Sequence, residues 1–137
     1  MSFGTGFGGG ASAYRQIAVE TSVPSADPHT LILLLFEGAE AALHLAKGKM
    51  LEKDIPGKGK AISQAIQIVT EGLLASLDIK AGGEMAERLS ALYDYIARRL
   101  LWANLKNDVA ALDECLQLLG EIHSAWSMIT PSKQAVA

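Results

Sequence analysis

Apolar residues recur along this chain at steps of three and four, the pattern of helices that bury one face. From Pro28 to about Lys53 the stripe runs Ile32, Leu35, Ala39, Ala42, Ala46 and Met50. Asp27 suits the N-cap of that helix and Pro28 its first turn. Asp54-Ile55-Pro56-Gly57 reads as a break. A second pattern, from about Lys58 to Ile79, aligns Ile62, Ile66, Val69, Leu73 and Leu77, and Gly82-Gly83 is expected to stop it. A third, from about Glu84 to Leu105, aligns Met85, Leu89, Leu92, Ile96, Leu100 and Ala103. Asn107-Asp108 offers the next cap, and the fourth, from Val109 to about Ile129, aligns Val109, Leu112, Leu116, Leu119, His123 and Trp126.

No stretch alternates polar and apolar residues with the β period over a useful length. Four long helices on short loops predict an all-α fold, an antiparallel four-helix bundle. A mean step near 3.5 suits a left-handed bundle with crossing angles of about 20°. Ahead of it, Tyr14 to Thr21 predicts a short N-terminal helical cap segment with Tyr14, Ile17 and Ala18 on one face. The expected layout is a flexible glycine-rich tail over 1–13, one helical domain over 14–130 and a flexible tail over 131–137. Five glycines between Gly4 and Gly10 support the first of these, since glycine loses the most backbone freedom on ordering.

The stripes are wider than a bundle core needs, which is about three positions in seven. Leu31 to Phe36 is apolar all round. If Ile32 and Leu35 face inward, then Leu31, Leu34, Ala41 and Leu45 line a second face. On the third helix Tyr95 and Trp102 share a side that Leu101 and Leu105 extend and that Arg98 and Arg99 flank. Exposed aromatics beside arginine are the composition of a protein-binding surface. Two readings stay open for these rings: an external apolar groove, or a widened core. The Tyr14 segment likewise reads either as an occupant of that groove or as a permanent cap.

Composition narrows the function. The chain has 137 residues, enough for one domain. Only 6% are aromatic, so the core must be aliphatic. Twelve basic against fifteen acidic residues leave a net charge of −3, which argues against general nucleic-acid binding. The longest unbroken apolar run, Leu31 to Phe36, falls far short of the roughly 20 residues that cross a bilayer, and the N-terminus lacks the features of a secretory signal. A single cysteine, Cys115, excludes an internal disulfide and reads as a small core residue; the expected location is the cytoplasm.

Catalytic signals are absent. Gly4 to Gly9 formally matches a GxGxxG loop, but no strand precedes it. His29, His44 and His123 do not form the Glu-x-x-His pairs of a di-iron bundle. Asp78, Glu84 and Glu87 read as helix-end and solvent charges. No enzyme activity, metal or cofactor is expected.

Several stretches carry a family resemblance: VET at 19–21 behind Tyr14, DPHTLILLLFEGA at 27–39, SLDIKAGGEMAERLSALYDYIARRLLWANLKND at 76–108 and LDECLQLLGEIHSAW at 112–126. Together they resemble the flagellar secretion chaperone FliS family across most of the chain. Two features depart from the pattern: Phe36 stands where the family usually has Tyr, and the glycine-rich tail matches nothing in it. The resemblance implies a cytoplasmic bundle that binds the C-terminal segment of newly made flagellin in apolar surface grooves. It further implies that the chaperone blocks premature polymerisation and aids delivery to the export gate. An export gate component, the filament cap protein and the anti-sigma regulator are implied as further partners, with no residues assigned to them. By that resemblance Tyr14, Ile17 and Val19 form the N-terminal cap. The expected client contacts are Leu31, Leu34, Ala41, Leu45, Tyr95, Arg98, Leu101, Trp102 and Leu105, with Tyr93 in the core. The alternative is a structural bundle whose outer stripe is a homo-oligomer interface.

Overall fold

The computed structural model describes residues 27–129. The expected cap at Tyr14, Ile17 and Val19 and both tails lie outside these residues. The described chain forms α1 (Pro28–Leu51), α2 (Ile55–Gln67), a π-helical segment (Ile68–Leu74), α3 (Ile79–Lys106) and α4 (Val109–Ser127). It is an all-α, four-helix arrangement. α1 packs on α2 and α4, and α3 packs on α4 and on the α2–π helix, so α1 and α3 sit across the diagonal.

Aspartates start every helix. The Asp27, Asp54, Asp78 and Asp108 carboxylates accept from the backbone N–H of Thr30, Gly57, Ala81 and Ala111 at 2.8–3.0 Å. Each satisfies a donor that has no partner within its helix. Asp54 is therefore a cap rather than part of a break, and α2 begins at Ile55, three residues before the expected Lys58. Gly57 is needed there, because a Cβ would lie 2.5 Å from the Asp54 carboxylate. α3 ends on Asn107, which is left-handed at φ 52°, and the Asp108 N–H reaches back to Ala103 O at 2.9 Å.

The second helix departs most from its pattern. It was expected to run to Ile79 and to stop at Gly82-Gly83. It instead widens into the π-helical segment at Ile68 and ends at Leu74. Asp78 then caps a new helix, so both glycines fall inside α3. Gly83 kinks α3, with φ 56° and ψ −136°, a region that side-chain-bearing residues rarely enter. The π-turn turns Ile68, Val69, Gly72 and Leu73 inward together. Gly72 meets α1 closely, as a Cβ there would lie 2.9 Å from Leu35 Cδ2.

The core is aliphatic. Leu35, Leu43, Ile62, Val69, Ile96, Leu100, Leu112, Cys115 and Leu119 are fully buried. Met85, expected in the α3 stripe, is exposed instead, because it lies just past the Gly83 kink at the end of the bundle. Burial pushes the Cys115 thiol up to about 12, which keeps it protonated and inert. α1 is long and apolar enough to cross a membrane by length and composition alone. Part of that hydropathy belongs to the face formed by Leu35, Phe36, Ala39, Ala42, Leu43, Ala46 and Met50, which is buried in the bundle.

Polar side chains tie the seams. Lys58, only 4% exposed, donates from Nζ to Asn104 O at 2.8 Å and to Asn107 Oδ1 at 2.9 Å. It places a cation at the negative end of the α3 dipole and fixes α2 to α3. His29 and Trp126 join α1 to α4 through two hydrogen bonds, His29 Nε2 with Trp126 O and Trp126 Nε1 to His29 O, and their rings stack at 5.0 Å. Nearby, His123 Nδ1 sits 3.1 Å from both Glu40 oxygens, and its ring stacks on Phe36.

Lys58→Met keeps the aliphatic stem but removes both hydrogen bonds. It should cost about 1–3 kcal/mol, the range for leaving a buried polar group unpaired. In urea the unfolding midpoint should fall with an unchanged slope; an unchanged midpoint would show that the lysine head group contributes nothing.

Candidate interaction surfaces

The outer stripe expected from the sequence is divided between two places. On α1, Leu31 and Leu34 are half-buried while Ala41 and Leu45 are exposed, Leu45 by 53%. With 3.6 residues per turn, Leu34, Ala41 and Leu45 point away from Glu40 and Lys47. Those two face α4 through the Glu40–His123 and Lys47–Asp113 pairs. On α3, Leu101 is 57%, Trp102 44% and Leu105 77% exposed. Arg98 is exposed and paired with Asp94 at 3.0 Å. Because α1 and α3 are diagonal, these residues form two strips rather than one groove.

Tyr95 and Trp102 are less free than their spacing suggests. Tyr95 packs against the core, and its hydroxyl donates to Glu114 Oε2 at 2.6 Å. Arg99 Nε donates to the other oxygen at 3.1 Å. Trp102 Nε1 donates to Asp108 Oδ2 at 3.2 Å, and Lys106 Nζ lies 5.4 Å from the centre of its ring. The Tyr95 hydroxyl, helped by Arg99, holds the Glu114 carboxyl below its usual range. The same bond raises the Tyr95 phenol, and Glu114 raises the Arg99 guanidinium. The Ala111 N–H and then the Trp102 indole lower Asp108. One edge of each ring is thus fixed to α4 or its cap, and Trp102 keeps much of its surface exposed. Tyr93, expected in the core, is buried at 3% exposure.

A third surface lies where the sequence assigned only core. At the end of the bundle that holds the starts of α1 and α3 and the end of α4, a groove of about 390 Å3 opens. Phe36, Leu73 and Tyr93, all buried, form its floor. Ile32, Leu77, Met85, Leu89, Ile122 and Trp126 form its walls, and Pro28 and Ile129 stand at its mouth. The polar atoms on these walls are turned inward, since Ser76 Oγ donates to Leu73 O and Trp126 Nε1 to His29 O. The groove therefore offers an occupant mainly apolar contact. Nothing in the stripes distinguishes these residues from closed core, because they carry the same helical spacing. Among the described residues, no group of three His, Cys, Asp or Glu side chains could hold a metal ion.

Fold and surfaces together define a small helical bundle with more apolar surface than its core encloses. Comparison with known proteins says which bundle. The model of the family described as "Flagellar protein FliS" matches residues 10–133. The chain is 50% identical over 122 residues to the flagellar secretion chaperone FliS of Salmonella typhimurium, covering 89% of this chain and 90% of that one. It is 44% identical over 125 residues to its Escherichia coli counterpart, covering 90% and 92%, and 44% identical over 117 residues to the flagellar secretion chaperone FliSB of Pseudomonas aeruginosa, covering 85% and 92%. The chain belongs to the FliS family.

Tyr95→Phe tests the α3–α4 tie through pH. A carboxyl whose folded pKa is lowered adds stability above its unfolded pKa, and that stability is lost as pH falls through the folded value. The variant should therefore melt below the parent at about pH 7, and the gap should shrink on acidification below about pH 4, the ordinary glutamate range. A gap that stays constant with pH would sever the hydroxyl from the Glu114 charge.

Proposed function

We infer that this chain is a flagellar secretion chaperone that binds the C-terminal segment of flagellin in the cytoplasm. Bound there, the segment is kept from polymerising early and is carried to the export gate. The observation that carries this reading is the unpaired apolar surface: two strips and one end groove on a bundle whose relatives are named flagellar secretion chaperones. Ordering a client residue costs roughly 1–2 kcal/mol of backbone entropy. At about 25 cal/mol per Å2, each ordered residue must bury on the order of 60 Å2 of apolar surface to break even. A small pocket cannot supply that along a segment; strips and a groove spread around a bundle can, as in helix-in-groove recognition.

In this reading the client contacts are Leu31, Leu34, Ala41 and Leu45 on one strip, and Arg98, Leu101, Trp102 and Leu105 on the other, with Tyr95 behind them. The segment with Tyr14, Ile17 and Val19 partly occupies the same surface when no client is present and moves aside for the client.

Calorimetry with a peptide of the flagellin C-terminal segment tests the reading. A 1:1 complex is expected, and Leu101→Ala with Trp102→Ala and Leu105→Ala should weaken it about tenfold or more, which is about 1.4 kcal/mol. Tyr95 is left intact because its truncation would also break the Glu114 tie. No heat from a folded parent chain refutes the reading. Sedimentation of that chain as a stable oligomer indifferent to the peptide would favour a homo-oligomer interface instead.

A further inference from the structure

The two ends of the bundle differ in charge. The half that holds the end groove, residues 27–40, 66–92 and 118–129, carries eight carboxylates against two cations, Lys80 and Arg88. The other half, residues 41–65 and 93–117, carries eight cations against six carboxylates. The bundle is therefore polarised along its length, with the negative pole around the apolar groove. Pairing does not remove the imbalance. Glu84 holds Arg88 at 2.8 Å, and Glu40 faces His123. Asp27, Glu37, Glu71, Asp78, Glu87 and Glu121 have no ion pair among the described residues. Of these, Asp27, Asp78 and Glu121 each stand one residue from a side chain that lines the groove: Pro28, Leu77 and Ile122.

The helix ends add to this. α1 and α3 finish at the far end, and each has a lysine in its last turn, Lys49 and Lys106. The π-helical segment and α4 finish at the groove, and neither has a basic residue in its last turn. Their carbonyl ends carry the partial negative charge that lysine or arginine ordinarily offsets. The positive ends of α1 and α3 at the same pole are already met by the Asp27 and Asp78 caps. A cleft with apolar walls focuses the field of nearby charges, so these groups act on whatever enters it. Partners that bring phosphates, nucleic acid or a lipid surface, are repelled there. At the rim Met85 is 69% exposed, and its unbranched thioether side chain can re-pack around a guest.

We propose that the end groove is a docking site for a basic amphipathic polypeptide segment of a partner protein. Apolar side chains of the segment enter over Phe36, Leu73 and Tyr93, and lysine or arginine at its ends meets the surrounding carboxylates and the carbonyl end of α4. The apolar walls supply contact area, and the charge decides which apolar segments are admitted. This goes beyond the chaperone reading and does not depend on it.

Calorimetry of the full chain with two designed peptides, neither of them a flagellin sequence, tests the proposal. Each has about twelve residues with leucine anchors at i, i+3 and i+7. One carries lysine at both ends and the other glutamate. At low salt the lysine peptide should bind about tenfold or more tightly than the glutamate peptide, and the ratio should shrink as added salt screens the charges. Equal affinities, or no binding of either peptide, overturn the proposal. Two variants locate the contact. Ala125→Arg sets a cation of the chain's own on the groove wall at the end of α4. It should weaken the lysine peptide about tenfold without lowering the melting temperature. Asp27→Asn with Asp78→Asn and Glu121→Gln removes three charges but keeps both caps, since asparagine caps as well as aspartate. It should cut the preference for lysine to about threefold or less. Unchanged binding in either variant overturns the proposal, and if the triple variant does not fold, the salt titration of the parent decides the part played by charge. Self-association of the parent in sedimentation, abolished by Ala125→Arg, would give the groove to a second copy and overturn it as well.

Discussion

Phe36, Leu73 and Tyr93 close the core from below and floor an open groove from above. That double duty is the constraint on which the rest of the molecule turns. A four-helix core is sealed where four helices of matching length meet. Here the second helix ends at Leu74, and α3 begins with a loose turn rather than a packed one. One end of the core is left without its last layer. Apolar residues that would have met one another, Ile32, Leu77, Leu89 and Ile122 among them, face a cavity instead.

Holding such an end open without collapse requires the neighbouring seams to be stiff. The α1–α4 seam answers with paired hydrogen bonds between His29 and Trp126 and with the Glu40–His123–Phe36 stack directly below. The opposite end is closed by Lys58, which caps α3 from α2. Tyr95, Arg99 and Glu114 stitch α3 to α4 between them. These contacts are polar, directional and specific to one packing, whereas the aliphatic core alone would tolerate sliding. The aromatic residues that look like free binding groups in the sequence are partly engaged in this work. Tyr95 is a strut with one exposed side, and Trp102 is held at its indole nitrogen while its ring stays accessible.

Phe36 serves the core through its ring alone. Its ring is 1% exposed and stacks on His123 with centroids 5.4 Å apart. Packing and stacking there need a ring, and phenylalanine supplies one.

Helix number, antiparallel order, the aspartate caps at 27 and 108 and most of the buried stripe are legible in the sequence. They follow from local rules: apolar spacing, capping chemistry and the absence of a β period. Family membership was legible too, in the PHTLILLLFEGA and LYDYIARRLLWANLKND stretches. Where local rules competed, the reading failed. Pro56 and Gly57 looked like a break but complete a capped first turn, and Gly82-Gly83 looked like a stop but form a joint inside a helix. The end groove was invisible, because a residue lining a cavity and a residue sealed against a neighbour carry the same spacing. Whether the α1 and α3 strips adjoin or stand apart was equally undecidable. That depends on which helices share a diagonal, and diagonal placement is settled by contacts between residues far apart in the chain. Periodicity records which side of a helix is apolar; only packing decides what, if anything, covers it.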